Sequence, residues 1–412
     1  MANSNQKTIV CNGCSCLCDD IGFGGEEGTD YENACSMGRL HLQRLHNRTS
    51  KPWFEYAGQP IELEAAARIA AEILTSAKSP LVAGIEHLGT RAQQLAVNIG
   101  LQVGASIDTT LSAAGSGRSS LFSFQREGTV TATLGEIANR AELIVFWYCD
   151  PSQSHPRFVQ RFCSGENQKT IFISGDPGQA TASAQVCEML LRDLPVRVDV
   201  EQATGSALAN WQTLVQTLKD CDYAAIVFDP QMFDSCFDAS VDTLMSFAKR
   251  MNAQTRLVVN SLGKPTNLVS AENVLAWSTG FAAAVSASRD NRSHFLEYSA
   301  AKILEHRECD ASLMFLGNNQ ESSWSSFQPI PSIVVLNASE TDSEQSSVFR
   351  NRGEKTLVVN CVTYVNDDWC RMDDIMIPIQ PRGERSDRVS DISRFLGELC
   401  LCVGGITNFG RT

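Results

Sequence analysis

Clustered positive charge is missing from this chain. Its 34 lysines and arginines are outnumbered by 47 acidic residues, which leaves a formal net charge of -13 and a pI near 5.0. A surface that neutralises nucleic-acid phosphates needs grouped Lys and Arg, so nucleic acid is excluded as a partner. Long apolar runs are missing too. No stretch of about 18 uninterrupted apolar residues occurs, and the opening MANSNQKTIV has no basic segment followed by an apolar one. No repeat of about 20 to 50 residues recurs that would suggest a solenoid. The expectation from these absences is a cytoplasmic protein with no membrane partner. Thiols stay reduced in that compartment, so a disulfide framework is the weaker account of the 15 cysteines.

What is present reads as globular. The 412 residues are 43% hydrophobic and 20% charged, and at roughly 100 to 200 residues per domain they divide into several domains. A segment rich in Ala, Leu and Glu, IELEAAARIAAEILTS at 61–76, has helical spacing and runs into the apolar LVAGI at 81–85. Short β-branched runs then recur: LIVFWY at 143–148, TIFIS at 170–174, AAIVF at 224–228, RLVVN at 256–260, SLMFL at 312–316, SIVVLN at 332–337 and KTLVVN at 355–360. Helical segments such as 211–219 and 241–251 separate them. Strands of this kind indicate parallel sheets covered by helices on both faces. The fold class is therefore α/β and multi-domain. Residues 1–60 form a cysteine-rich N-terminal cap, 61–200 and 201–350 form two α/β domains, and 351–412 completes the fold.

The cap carries the first candidate chemistry. VCNGCSCLCDDIGF at 10–23 places Cys11, Cys14 and Cys18 in a C-x2-C-x3-C run, and Cys35 follows in ENACSMG. Three thiolates in one loop and a fourth from a later turn can hold a 4Fe-4S cluster, the last Cys closing the fourth corner. Zinc also takes four thiolates, although its usual geometry pairs two knuckles. Thiols without a ligand role are the third account, and Cys16 is the spare thiol of the group. The remaining cysteines, Cys163, Cys187, Cys221, Cys361 and Cys400 among them, are spread along the chain or lie in apolar runs, which assigns them to packing. His41, His46 and His87 read as ordinary surface or core histidines.

Those segments resemble the N-terminus of the B subunit of formylmethanofuran dehydrogenase, a family within the molybdopterin oxidoreductases. Further segments follow in order. TATLGEIANRAELIVFWYCDPSQSHPRFVQRF at 131–162 is similar to a TLGE…NRAD…HPR signature, WSTGF at 277–281 to a WQTGF element, and RMDDIMIPI at 371–379 to a YRMDGVPI element. The resemblance implies a molybdopterin-oxidoreductase-like fold whose α/β domains enclose a tungsten or molybdenum bis-pterin, with a 4Fe-4S cluster on Cys11, Cys14, Cys18 and Cys35. It implies carbon dioxide/formate chemistry at the metal, and partnership with an amidohydrolase (A) subunit and formyltransferase-type subunits. By position it marks Arg289, His155 and Arg157 as the active-site residues. It also marks Asp176 and Thr181, in the loop SGDPGQATASA, as holding the nucleotide end of the pterin. An ordinary strand-to-helix turn fits that loop equally.

One departure stands out. The family's metal is held by a Cys or selenocysteine directly followed by His, about fifteen residues before TLGE, where this chain has LSAAGSGRSSLF with Ser116 and Gly117 at the corresponding place. No cysteine lies between Cys35 and Cys149 and no histidine between His87 and His155, so no shift of the alignment recovers the pair. A hydroxyl cannot replace a soft, strongly donating thiolate without changing the redox behaviour of the metal. The resulting expectation is a B-type subunit, of a formylmethanofuran dehydrogenase or of the related formyltransferase/hydrolase complex, whose own redox site has been lost and whose role is mainly structural. The space vacated by the pterin is expected to be filled by Arg118 and its neighbours. Two alternatives stand beside it: an active tungsten or molybdenum oxidoreductase subunit, and an iron-sulfur or zinc structural protein without pterin.

Overall fold

In the computed structural model of the chain, residues 7–11, 13–14, 16–24, 30–46, 53–109, 128–230, 237–263, 266–288, 292–294, 297–316, 332–337, 356–361 and 391–409 are described. The chain groups into two compact units, each discontinuous in sequence: Met1–Gly13, Leu17–Ala113 and Thr266–Thr412 in the first, Cys14–Cys16 and Ala114–Pro265 in the second.

The first unit opens on a small antiparallel sheet of β1 (Lys7–Cys11), β2 (Cys18–Gly24) and β3 (Asp30–Glu32), followed by helix α1 (Ser36–His46). Its main sheet contains β4 (Trp53–Tyr56), β5 (Gln59–Ile61), β6 (Pro80–Ala83), β7 (Ser106–Asp108), β12 (Val285–Ser286), β13 (Arg292–Ser293), β14 (Ala311–Leu316), β15 (Ser332–Asn337) and β16 (Thr356–Cys361). Their order is β13-β12-β7-β6-β14-β15-β16-β4-β5. The middle five, β7, β6, β14, β15 and β16, are parallel, and short antiparallel strands extend both edges. Every residue of β6 and β14 is buried. This is what a central strand covered on both faces requires, and it explains their unbroken apolar sequences.

Four helices share one core with that sheet: α2 (Leu63–Ser76), α3 (Thr90–Val103), α7 (Leu268–Thr279) and α8 (Asp391–Phe409). Ala66, Ala67, Ala70, Ala71 and Leu74 of α2 are fully buried, as are Ile392, Phe395, Leu396, Leu399 and Val403 of α8. The small alanine face lets the two helices approach closely, while the α8 residues recur at the three-and-four spacing of one helical stripe. Phe54 of β4 meets Phe395 with ring centroids 5.8 Å apart.

The second unit is a four-stranded parallel sheet, order β11-β10-β8-β9, of β8 (Leu143–Trp147), β9 (Lys169–Ile173), β10 (Tyr223–Phe228) and β11 (Arg256–Ser261). Leu143, Val145 and Trp147 of β8 share a core with α4 (Ala180–Leu191), α5 (Leu208–Lys219) and α6 (Phe237–Met251). On the opposite face Phe146 lies edge-on to Phe158 at 5.8 Å and stacks on Phe172 of the edge strand at 4.6 Å.

Two strands stop earlier than their apolar runs suggest. The run 81–85 leaves β6 at Gly84, whose φ is 82°, because a Cβ there would lie 2.0 Å from the Phe315 carbonyl oxygen. Only glycine fits that approach between neighbouring strands. The run 143–148 leaves β8 at Tyr148, held at a φ of 50°. Both turns fall at the carboxyl end of the first parallel strand of a sheet whose order then reverses, β6 beside β14 and β8 beside β10. In open α/β sheets such switch points are where chain ends splay and binding groups gather. Among the described residues no helix is long and apolar enough to cross a membrane.

Candidate functional site: the cysteine lobe and the strand ends of the second unit

The cysteine lobe is set by short-range geometry. Leu17, in the left-handed region at a φ of 48°, turns the chain so that Cys18 pairs in register with Cys11 across β1 and β2. Cys35 occupies the position before α1, and its sulfur accepts the Gly38 amide at 3.3 Å, in the way a Ser or Thr cap would. A Cβ at Gly38 would meet Cys11 Sγ at 3.0 Å and Cys35 Sγ at 3.5 Å, so the missing side chain leaves a hollow that both thiols face. A Cβ at Gly13 would likewise meet His41 Cβ at 3.2 Å and Cys11 Sγ at 3.5 Å. Cys14 behaves differently. Its thiol is hydrogen-bonded by the side chain and backbone of Cys16, which brings it down to about 7 against the opposing effect of burial. Cys16, the spare thiol of the sequence reading, is the group that lowers it.

The cysteines whose side chains are described are thiols, none of them in a disulfide. The lobe offers soft donors and a glycine cradle suited to a thiolate-bound group. Among the described residues, however, no three His, Cys, Asp or Glu side chains are grouped as metal ligands. Elsewhere, Cys187 is fully buried in the second unit's core, and burial pushes the Cys163 thiol up to about 12.

At the strand ends of the second unit, His155 is buried. Its Nε2 lies 3.0 Å from the Gly263 carbonyl oxygen and its Nδ1 lies 2.9 Å from Ser154 Oγ. A carbonyl only accepts, so Nε2 carries the proton and Nδ1 takes the serine hydroxyl's. Burial holds the imidazole below its usual pKa, which keeps it neutral. Arg157, also buried, donates from Nε to Gln160 Oε1 at 3.1 Å. Cys149 donates its thiol to the Val227 carbonyl at 3.3 Å and is pushed up to about 12 by burial, with Asp229 adding to the effect. Tyr148 Oη lies 2.7 Å from Ser183 Oγ. Each of these groups is satisfied by the chain itself.

The loop after β9 is a capped turn. Asp176 Oδ1 accepts the Gly178 amide at 3.0 Å, and Thr181 Oγ1 lies 2.6 Å from Ser240 Oγ. Ser116, Arg118, Arg289 and the segment 371–379 lie outside the described residues. The other motifs have structural explanations. TLGE is a helix start, in which Thr133 Oγ1 accepts the Glu136 amide at 3.1 Å and Glu136 Oε1 accepts the Tyr223 hydroxyl at 3.1 Å. WSTGF is the end of α7 (Leu268–Thr279), with Gly280 in the left-handed capping position at a φ of 86°.

Sequence reasoning passed over Asp108. Asp108 is fully buried at the end of β7, where its two carboxylate oxygens accept the amides of Ala284 at 2.9 Å and Ala300 at 2.7 Å. The available signal was an acidic residue closing an apolar strand.

No protein-family profile matches the chain. Among curated proteins, the B subunit of tungsten-containing formylmethanofuran dehydrogenase 2 from Methanococcus maripaludis is 26% identical over 321 residues, covering 69% of this chain and 72% of that protein. The protein of the same name from Methanocaldococcus jannaschii is 26% identical over 342 residues, 74% and 78% of the two chains. Among solved structures, a chain of the formyltransferase/hydrolase complex from Methylorubrum extorquens, determined with methylofuran, superposes with a TM-score of 0.65 at 17% identity. That match covers 87% of this chain and all of the other, and at such low identity it speaks for the fold alone. Sequence and fold thus agree with the motifs: this chain is similar over most of its length to the B subunits of tungsten-containing formylmethanofuran dehydrogenases.

Proposed function

We propose that the chain is the B-type subunit of a formyltransferase/hydrolase complex in one-carbon metabolism. In this reading it supports an amidohydrolase subunit and formyltransferase-type subunits, and its own redox site has been lost. The observation that carries this reading is the absence of any cysteine between Cys35 and Cys149 in a chain otherwise similar to the tungsten enzymes' B subunits. A tungsten or molybdenum pterin needs that thiolate to set its potential, and Ser116 offers only a hydroxyl. The arrangement of His155 and Arg157 supports the same reading. A proton-transfer histidine must present a ring nitrogen to substrate, whereas His155 spends Nδ1 on Ser154 and Nε2 on Gly263. Asp176 and Thr181 are likewise engaged in capping and in a hydroxyl contact with Ser240. These side chains hold strand ends and turns in place, which is what a retained scaffold needs.

The test is made on the intact complex, purified anaerobically. The expected result is release of formate from a formylated furan carrier, no dye-linked oxidation of formate, and no tungsten, molybdenum or pterin in stoichiometric amount. Stoichiometric tungsten or molybdenum together with dye-linked formate oxidation would return the chain to the active oxidoreductases.

A further inference from the structure

We propose that a cavity at the amino ends of β6 and β7 binds a small zwitterion of the amino-acid class, Lys78 taking its carboxylate and Glu297 its ammonium. The cavity lies within the first unit and has a volume of about 590 Å³, a size usual for small-molecule sites. Its floor follows from strand register. Ser106 opens β7 and sits directly opposite Ser286 of the antiparallel β12, so the two side chains share one face of the sheet. That face is the one covered by the short helix Ala300–His306. Leu81, the register partner of Ser106 on β6, packs with Ala300 and Ile303, and Asp108, two residues beyond Ser106, accepts the Ala300 amide at 2.7 Å. Ser288 extends the pair into a row, its Oγ 3.1 Å from Ser286 Oγ.

Two charged residues line the cavity with this hydroxyl row, each on a fixed turn. The Asp310 carboxylate accepts the amides of Lys78 and Ser79, both at 2.8 Å, and so sets the base of the Lys78 side chain. The Glu297 amide donates to the His294 carbonyl at 3.1 Å. Among the described residues neither the Lys78 ammonium nor the Glu297 carboxylate has an ion-pair partner, whereas His306 and Glu308, also at the rim, face each other at 3.8 Å. One cation and one anion left over beside neutral hydroxyls define the ligand's charge. A simple anion that satisfied Lys78 would be opposed by Glu297, and a simple cation by Lys78. A molecule carrying both an ammonium and a carboxylate meets each with a charge-assisted hydrogen bond. Serine hydroxyls both donate and accept, so the row suits either end of such a molecule. The cavity lies at the opposite end of β6 and β7 from the switch point, so the inference stands apart from the function proposed above.

The test is calorimetric titration of the full-length chain with each free amino acid in turn, then with the amine and the 2-hydroxy acid that match the best binder. At least one amino acid should bind with a Kd of about 1 mM or tighter. Its amine, which lacks the carboxylate, and its hydroxy acid, which lacks the ammonium, should each bind about tenfold or more weakly. Lys78→Met and Glu297→Gln should weaken binding by the same order, and Lys78→Arg should keep most of it. Both positions are exposed, so the variants should melt with the native chain, which thermal unfolding checks. Three results would overturn the proposal: no amino acid binding at that level, an amine or hydroxy acid binding as tightly as the amino acid, or binding that either Lys78→Met or Glu297→Gln leaves unchanged.

Discussion

His155 lies in the part of the sequence that most resembled an active site, and its hydrogen bonds make it a brace. Its neutral ring links the loop after β8 to Gly263 beyond β11. Burial is the largest influence on it and lowers its folded-state pKa below the unfolded value of about 6.5. Between those two values the unfolded chain binds the proton and the folded chain does not. The contribution of His155 to stability is therefore complete above about pH 6.5 and is lost as the pH falls through that value toward the folded pKa. His155→Gln keeps an Nε2 donor for Gly263 and removes the titration. Urea unfolding of the two proteins in parallel from about pH 7.5 to 5 should show the native chain losing stability faster than the variant. Equal slopes would mean that the ring takes up its proton alike in the folded and unfolded states. At this scale the residue types were readable from the sequence, but their partners were not, because Gly263 lies 108 positions away.

At the scale of elements, the runs of apolar and β-branched residues located the parallel strands to within a residue or two, since burial on both faces leaves little room for polar side chains. Their ends were less legible. Gly84 and Tyr148 continue an apolar run in sequence but leave the strand in space, for reasons of backbone conformation that hydrophobicity does not encode. Motifs that carry the family resemblance also define element boundaries. Thr133→Ala removes the acceptor for the Glu136 amide and should cost about 1 kcal/mol in chemical denaturation. Thr133→Ser, which keeps the oxygen, should cost much less. A loss shared equally by both variants would assign the effect to the lost methyl group instead of the cap.

At the scale of the whole molecule, the first unit depends on a segment more than 300 positions from its first helices. The buried stripe Ile392, Phe395, Leu396, Leu399 and Val403 packs in the same core as Ala66, Ala70 and Leu74, and each large apolar side chain so buried contributes about 1.5 to 3 kcal/mol. Truncation before residue 391 should therefore unfold the first unit, while the second keeps its own core of Leu143, Val145, Trp147, Leu218 and Phe247. Limited proteolysis of the truncated chain should leave a resistant fragment lying within 114–265, and cleavage spread evenly along the chain would contradict this separation. The α/β class, the parallel strands and the tight grouping of four thiols followed from sequence alone, because local periodicity and spacing carry them. Strand order, the return of the last helix to the first core, the pairing of Cys14 with Cys16 and the approach of His41 to Cys11 were decided only by the tertiary structure. Each of these depends on which residues pack together once the chain has folded, and a short window of sequence does not contain that information.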